Sequence, residues 1–230
     1  MPASKIIRVR EYHADMNNPA DVFTIAGNAS LTDTTVPGAF FGKSDGTNGF
    51  SWFTFGGKLV FDIDSLKSIE YQAMLNDWNA NAVAYLGLGS AYNADPSLVA
   101  ARAWFEIGGV AVASEYPIKV HTDDGTNDVT VTTGFRTAED VWKRYRLDFA
   151  TGIQTISPPG SSKGGKASIR YSVTDSKLQY QRSENPSSHL DMSNYSSGLQ
   201  LYFGVRQASG TQTNAAIIVK NIKVEYEEVS

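Results

Sequence analysis

The sequence predicts an all-β protein, a two-sheet antiparallel sandwich, and three observations carry that prediction. Short apolar–polar alternations of period two recur from one end of the chain to the other, and that period marks strands with one buried face. Turn-forming clusters such as Ser44–Gly49, Asp123–Asn127 and Ser157–Ser162 fall between them, at the spacing of a sandwich. The 20 glycines and 11% aromatic residues supply the many turns and the large buried side chains that such a fold needs.

Lys5–Tyr12 opens the chain as a first strand or an N-terminal arm, and Val22–Ala26 follows. Phe50–Phe55 and Lys58–Ile63 flank Gly56-Gly57, a hairpin signal. In Ser68–Leu75, Ile69, Tyr71, Ala73 and Leu75 alternate with Glu70, Gln72 and Met74. Ala82–Leu88 is apolar throughout and reads as a buried strand. Ala101–Ile107, Ile118–His121 and Asp128–Thr133 continue the pattern. Lys143–Phe149 places Tyr145, Leu147 and Phe149 on one face against Arg144, Arg146 and Asp148, and Ala167–Val173 repeats the scheme. Leu199–Arg206 and Ala215–Glu227 close the chain. Two stretches have helical signals: Asp95–Ala103, with Pro96 near an N-terminus, and Thr137–Trp142, with Thr137 as a cap. With no fixed-period repeat and no long linker, residues 1–230 are expected to form one domain.

The net charge of −4 and the scattered basic residues argue against nucleic-acid binding, which requires a basic stripe. The densest basic run, Lys143-Arg144-Tyr145-Arg146, lies inside a strand. There are no cysteines, no signal-like apolar run at the N-terminus and no apolar stretch of membrane-spanning length. The expectation is a soluble protein made in the cytoplasm, with neither nucleic acid nor membrane as a partner.

Candidate chemistry is sparse. His13, His121 and His189 are far apart, and no two share an element. Asp123, Asp124 and Asp128 form an oxygen-rich loop that suits calcium, but it lacks the regular ligand alternation of a calcium loop, and a polar hairpin turn explains it as well. Asp62 and Asp64, or Glu225 and Glu227, are the carboxylate pairs nearest to a glycosidase arrangement. The first pair reads as a strand-end turn and the second as a solvent-facing strand. There is no Gly-x-Ser-x-Gly. Ser161–Lys166 lacks the Ser or Thr, and the following helix, of a phosphate loop. The expectation is a protein without catalytic residues or cofactor. Among aromatic residues able to form a sugar platform (Trp52, Trp78, Tyr92, Trp104 and Trp142), Trp78 lies in the most polar surroundings and is the one expected at the surface.

Several stretches carry a resemblance: Asp15–Pro19 after the first strand, Ala101–Gly109, Arg146–Phe149, Leu190–Tyr195 before Leu199–Phe203, and the closing Val219–Tyr226. Their order resembles concanavalin-like (laminin-G-like) sandwiches, although the Glu-x-Asp-x-x-Glu of the laminarinase-like members is absent. The chain also resembles the jelly-roll decoration (cement) proteins of tailed-bacteriophage heads. That resemblance implies a virion structural protein, a homotrimer bound on the head surface to the major capsid protein. The expected contacts are Ile6, Ile7 and Tyr12 in the arm, Trp78, and Pro158 and Pro159 in a loop. The alternative is a carbohydrate-binding module or lectin-like domain with a glycan partner, including as part of a phage tail fibre or receptor-binding protein.

Overall fold

The computed structural model describes residues 7–13, 24–27, 39–43, 50–53, 61, 65–91, 93, 95–125, 128–151, 166–175, 181–184, 190–191, 199–207 and 215–229. They form fifteen strands: β1 (Ile7–His13), β2 (Thr24–Gly27), β3 (Ala39–Lys43), β4 (Phe50–Phe53), β5 (Leu66–Asn76), β6 (Ala82–Gly89), β7 (Ala101–Gly108), β8 (Tyr116–Asp124), β9 (Asp128–Thr137), β10 (Lys143–Thr151), β11 (Lys166–Asp175), β12 (Gln181–Glu184), β13 (Leu190–Asp191), β14 (Gln200–Gln207) and β15 (Ala216–Val229).

The strands make two antiparallel sheets. The first runs β1-β15-β5-β10-β11-β12, with β3 added beside β15 and β13 beside β11. The second runs β2-β4-β14-β6-β7-β8-β9. This is the sandwich that the period-two pattern predicts. The N-terminal segment is the first strand and not an arm over Ile7–His13, which pairs in register with β15 from Ile7↔Val229 to His13↔Lys223. Tyr12 is half-buried and packs against the core. Ile6, Pro158 and Pro159 lie outside the described residues, as do Gly56-Gly57 and most of Lys58–Ile63. Of the latter, Phe61 forms a single bridge with Leu199.

One core fills the space between the sheets. Alternate residues of β5, β10, β11 and β15 meet alternate residues of β6, β7, β8 and β14 there, among them Ile69, Leu147, Leu86, Phe105, Val120 and Phe203. Tyr71 stacks on Tyr145 with ring centroids 5.6 Å apart and meets Phe203 edge-on at 5.1 Å. Phe105 meets Tyr145 and Tyr171 edge-on at 5.1 and 5.3 Å.

Two buried hydroxyls join the layers. Tyr71 donates to the Leu86 carbonyl at 2.7 Å, and Tyr171 donates to the His121 carbonyl at 2.9 Å. Because the Tyr171 proton is committed there, the Thr122 hydroxyl 2.7 Å away donates to Tyr171. Burial pushes the Tyr171 phenol well above its ordinary value. Tyr171→Phe leaves the Thr122 hydroxyl and the His121 carbonyl without this partner. It is expected to lower stability by about 1–3 kcal/mol, read as a lower urea midpoint with an unchanged slope.

The helical expectations fail for local reasons. Asp95 caps a turn, accepting the Ser97 N–H at 3.1 Å, and Pro96 occupies its first position. The turn ends after Leu98 because Val99 is extended (φ −67°, ψ 117°), and β7 begins at Ala101. Thr137 is the last residue of β9, not a cap. Beyond it the Asp140 N–H donates to the Leu75 carbonyl at 3.0 Å, with Asp140 at φ 56°.

Contrary to what its polar neighbours suggest, Trp78 is not at the surface but is 6% exposed and part of the core. Its indole meets Tyr116 edge-on at 6.4 Å, its backbone N–H donates to the Glu139 carboxylate, and its backbone carbonyl accepts the Tyr116 hydroxyl at 3.3 Å. The polar residues around it belong to the β5–β6 turn, where Asp77 takes φ 47°.

The outer face of the first sheet is a lattice of charge. Arg146 reaches Asp148 at 2.7 Å and Glu70 at 3.3 Å, and Lys223 joins Glu11 at 2.7 Å to Glu225 at 2.8 Å. Glu225 also accepts the Ser68 hydroxyl at 2.7 Å, and Glu227 pairs with Lys67 at 2.7 Å. Both glutamates lie on the solvent-facing side of β15, as the alternation predicts, and are half-buried in ion pairs because β15 lies between β1 and β5 and not at an edge. No helix among the described residues is long and apolar enough to cross a membrane.

Candidate functional site

The outer face of the second sheet is built differently, and β7 shows why. Ala101, Ala103, Phe105 and Ile107 point into the core, so Arg102, Trp104 and Glu106 point outward. Register extends each outward residue into a row across the sheet. One row runs Tyr202, Gly87, Trp104, His121, Thr130. The next runs Gly204, Tyr85, Glu106, Lys119, Thr132, and the one on the other side runs Gln200, Gly89, Arg102, Asp123, Asp128.

Tyr85, Trp104 and Tyr202, joined by Val99 from the β6–β7 connection, form a second apolar cluster separate from the main core. Trp104 and Tyr202 are fully buried. Ring centroids lie 5.2 Å apart for Tyr85–Trp104 and 5.4 Å for Trp104–Tyr202, and His121 meets the indole edge-on at 6.3 Å. Gly87 makes room for this. A Cβ there would stand 2.4 Å from the Ala103 carbonyl oxygen and 2.8 Å from Trp104 Cα.

A polar rim borders the aromatic floor. Arg102 Nη1 donates to the carbonyls of Ser97 (2.6 Å) and Val99 (2.5 Å), tying the β6–β7 connection down. Its Nη2 lies 2.9 Å from Asp123 and 3.3 Å from Asp128, and 3.2 Å from His121 Nε2. His121 Nε2 also contacts the Asp128 carboxylate. Its Nδ1 is 3.9 Å from Glu106, beyond hydrogen-bond reach. Lys119 Nζ sits 3.1 Å from Glu106, and Arg206 reaches Asp95 at 2.5 Å. Trp104 Nε1, Arg102 Nε and His121 Nδ1 are buried and find no hydrogen-bond partner among the described residues.

The neighbouring His121 imidazole, and then Lys119, hold the Glu106 carboxyl below its ordinary value of 4.5 against the opposing effect of burial. Burial pushes Asp95 up, but hydrogen bonds from Ser97 and Arg206 outweigh it and the net shift is downward. Burial, with Glu106 nearby, raises the Tyr85 phenol far above its usual range. A carboxyl depressed in the folded state contributes stability that is complete above its unfolded value and lost as pH falls through its folded value. The protein is therefore expected to lose stability as pH drops below about 4.5. Glu106→Gln should flatten part of that dependence in midpoints measured from neutral pH to about pH 3.

The calcium expectation at Asp123, Asp124 and Asp128 meets a different arrangement. Asp123 and Asp128 pair across the β8–β9 turn, with Gly125 donating to Asp123 at 2.7 Å, and both carboxylates face the Arg102 guanidinium. Asp124 is buried. Among the described residues, no group of three or more histidines, cysteines and carboxylates is placed to hold a metal. Of the platform candidates, Trp104 lies in the aromatic floor. Trp142 is half-buried beneath Lys220, whose Nζ is 3.8 Å from the ring centroid. Tyr92 falls outside the described residues.

No known family model matches the chain, and neither does any curated protein sequence. Solved structures do match. A protein of unknown function from Shewanella oneidensis MR-1 aligns with a TM-score of 0.61 at 11% identity, over 98% of this chain and 88% of its own. Winged bean acidic lectin, complexed with methyl-α-D-galactose, aligns at 0.58 and 6% identity, over 97% and 100%. Lectin UEA-II, complexed with galactose, aligns at 0.55 and 7% identity, over 95% and 98%. The fold is thus a two-sheet antiparallel sandwich of the kind these lectins have. At these identities the likeness extends to the fold alone.

Proposed function

We propose that the chain is a non-catalytic carbohydrate-binding sandwich, with the outer face of the second sheet as its binding face. The observation that carries this is the row structure of that face. An aromatic floor lies beneath a rim of carboxylates, imidazole, ammonium and guanidinium groups, built by strand positions that the main core does not use. Sites for small polar ligands have this composition, an apolar body with a few convergent polar groups. Two lectins that share the fold are complexed with galactose or a galactoside, which supports the same reading.

The capsid-decoration reading places its contacts in an N-terminal arm, at Trp78 and in the Pro158-Pro159 loop. Trp78 is buried, and Pro158 and Pro159 lie outside the described residues. Ile7–His13 is instead in register with β15, and no other feature of the described face favours a shell partner over a sugar. The test is a glycan array followed by calorimetry on the best hit. Binding of at least one glycan is expected, weakened about tenfold or more by Glu106→Gln under conditions where the variant still unfolds in one cooperative urea transition. Failure to bind any glycan, together with co-sedimentation with phage heads, would return the function to the virion.

A further inference from the structure

The pairing of charges on the same face narrows the ligand. Among the described residues three cations border the aromatic floor, and each is already opposite a carboxylate: Arg102 with Asp123 at 2.9 Å, Lys119 with Glu106 at 3.1 Å, and Arg206 with Asp95 at 2.5 Å. Arg136, exposed on β9, stands opposite Pro117 and outside these rows.

We infer that the site takes a neutral saccharide through two adjacent hydroxyls, engaged by Glu106 and Lys119, and that it discriminates against uronate and sulfated sugars; this rests on the carbohydrate-binding reading. A carboxylate accepts hydrogen bonds only and an ammonium donates only. Side by side, they present an acceptor and a donor at one place. An anionic sugar matches the donor and is repelled by the acceptor, and a cation does the reverse. A hydroxyl pair matches both, because each hydroxyl donates and accepts. Lys119 and Glu106 are the pair with the access and reach for this. Lys119 is 40% and Glu106 21% exposed at the side chain. Arg206 and Asp95 are similarly exposed at 35% and 30%, but Asp95 already accepts the Ser97 N–H at 3.1 Å and the Ser97 hydroxyl at 2.6 Å. Arg102 is 5% exposed and occupied by two backbone carbonyls as well as Asp123. The hydroxyls of the exposed Thr130 and Thr132 flank them on β9.

The experiment is isothermal titration of the intact chain with three matched ligands drawn from the array: a neutral oligosaccharide, its counterpart bearing a uronate or sulfate, and its counterpart O-methylated at one hydroxyl of a vicinal pair. The neutral sugar should bind at least about tenfold more tightly than either counterpart, since each charge-assisted hydrogen bond lost is worth that much. Lys119→Met should weaken the neutral sugar. Glu106→Gln should weaken the neutral sugar and at the same time improve the anionic one, a change of selectivity that a purely structural role does not produce. Tighter binding of the anionic sugar by the unaltered protein would overturn the inference while leaving carbohydrate binding intact. The same holds if both variants keep the original selectivity. Absence of binding to every sugar would overturn both.

Discussion

Gly87→Ala is expected to be among the most damaging single-methyl changes in this protein. The added Cβ would fall 2.4 Å from the Ala103 carbonyl oxygen, 2.8 Å from Trp104 Cα and 2.9 Å from Trp104 Cβ. Two of those three atoms are backbone of the adjacent strand, so no side-chain rotation relieves the contact. The β6–β7 ladder itself has to separate, at Gly87↔Trp104, in the middle of the seven-stranded sheet. Overpacking in a dense interior costs about 1–3 kcal/mol when side chains can give way, and here the obstruction is backbone, so the cost lies at or above the upper end. Gly89→Ala is the internal comparison. There a Cβ meets Val99 Cγ1 at 3.2 Å and Tyr202 Cδ2 at 3.3 Å, both side-chain atoms that can shift by a few tenths of an ångström. Urea midpoints should fall in the order wild type, Gly89→Ala, Gly87→Ala, with the last change also disturbing the near-ultraviolet signal of Trp104. Equal and small losses at both positions would show that the indole does not depend on this gap.

The two faces of β7 show how much the sequence disclosed. The alternation of Ala101, Ala103, Phe105 and Ile107 against Arg102, Trp104 and Glu106 is legible in one short segment, and so are most strands, because burial on one face of a pleated strand imposes period two directly. The assembly of the outer face was not legible. His121 reads as a solitary histidine. Only the β7–β8 and β8–β9 registers bring it beside Trp104, Glu106 and Asp128, and register depends on long-range pairing that no local window contains. Trp78 misled for the opposite reason. Its neighbours are polar because they form a turn, and tertiary contact with Tyr116 decides where the indole goes. The Asp123–Asp128 loop read either as a calcium loop or as a polar hairpin turn; it is the turn, and its counter-charge, Arg102, comes from the preceding strand of the sheet.

That counter-charge makes Arg102 the second position of large expected effect. Its side chain is 5% exposed, and that of Asp123 is 12% exposed. Removing one member of a buried pair leaves the other charge without compensation, which costs about 3–5 kcal/mol. Arg102→Met keeps most of the apolar stem and its packing but removes the guanidinium, so the loss isolates charge and hydrogen bonding from volume. Two consequences should appear together. The Asp123 carboxylate is left buried without its cation, and the carbonyls of Ser97 and Val99 lose the donor that holds the β6–β7 connection against the aromatic floor. Adding Asp123→Asn separates them. The amide keeps an oxygen for the Gly125 N–H and removes the orphaned charge, so the double variant should recover a substantial part of the stability. It should not restore protection of the Ser97–Val99 segment in hydrogen exchange, because the donor to those carbonyls is still missing. If the double variant is no more stable than Arg102→Met, the pair with Asp123 is electrostatically neutral to the fold. In that case Arg102 acts through its backbone contacts, as a clasp on the connection that supplies Val99 to the floor.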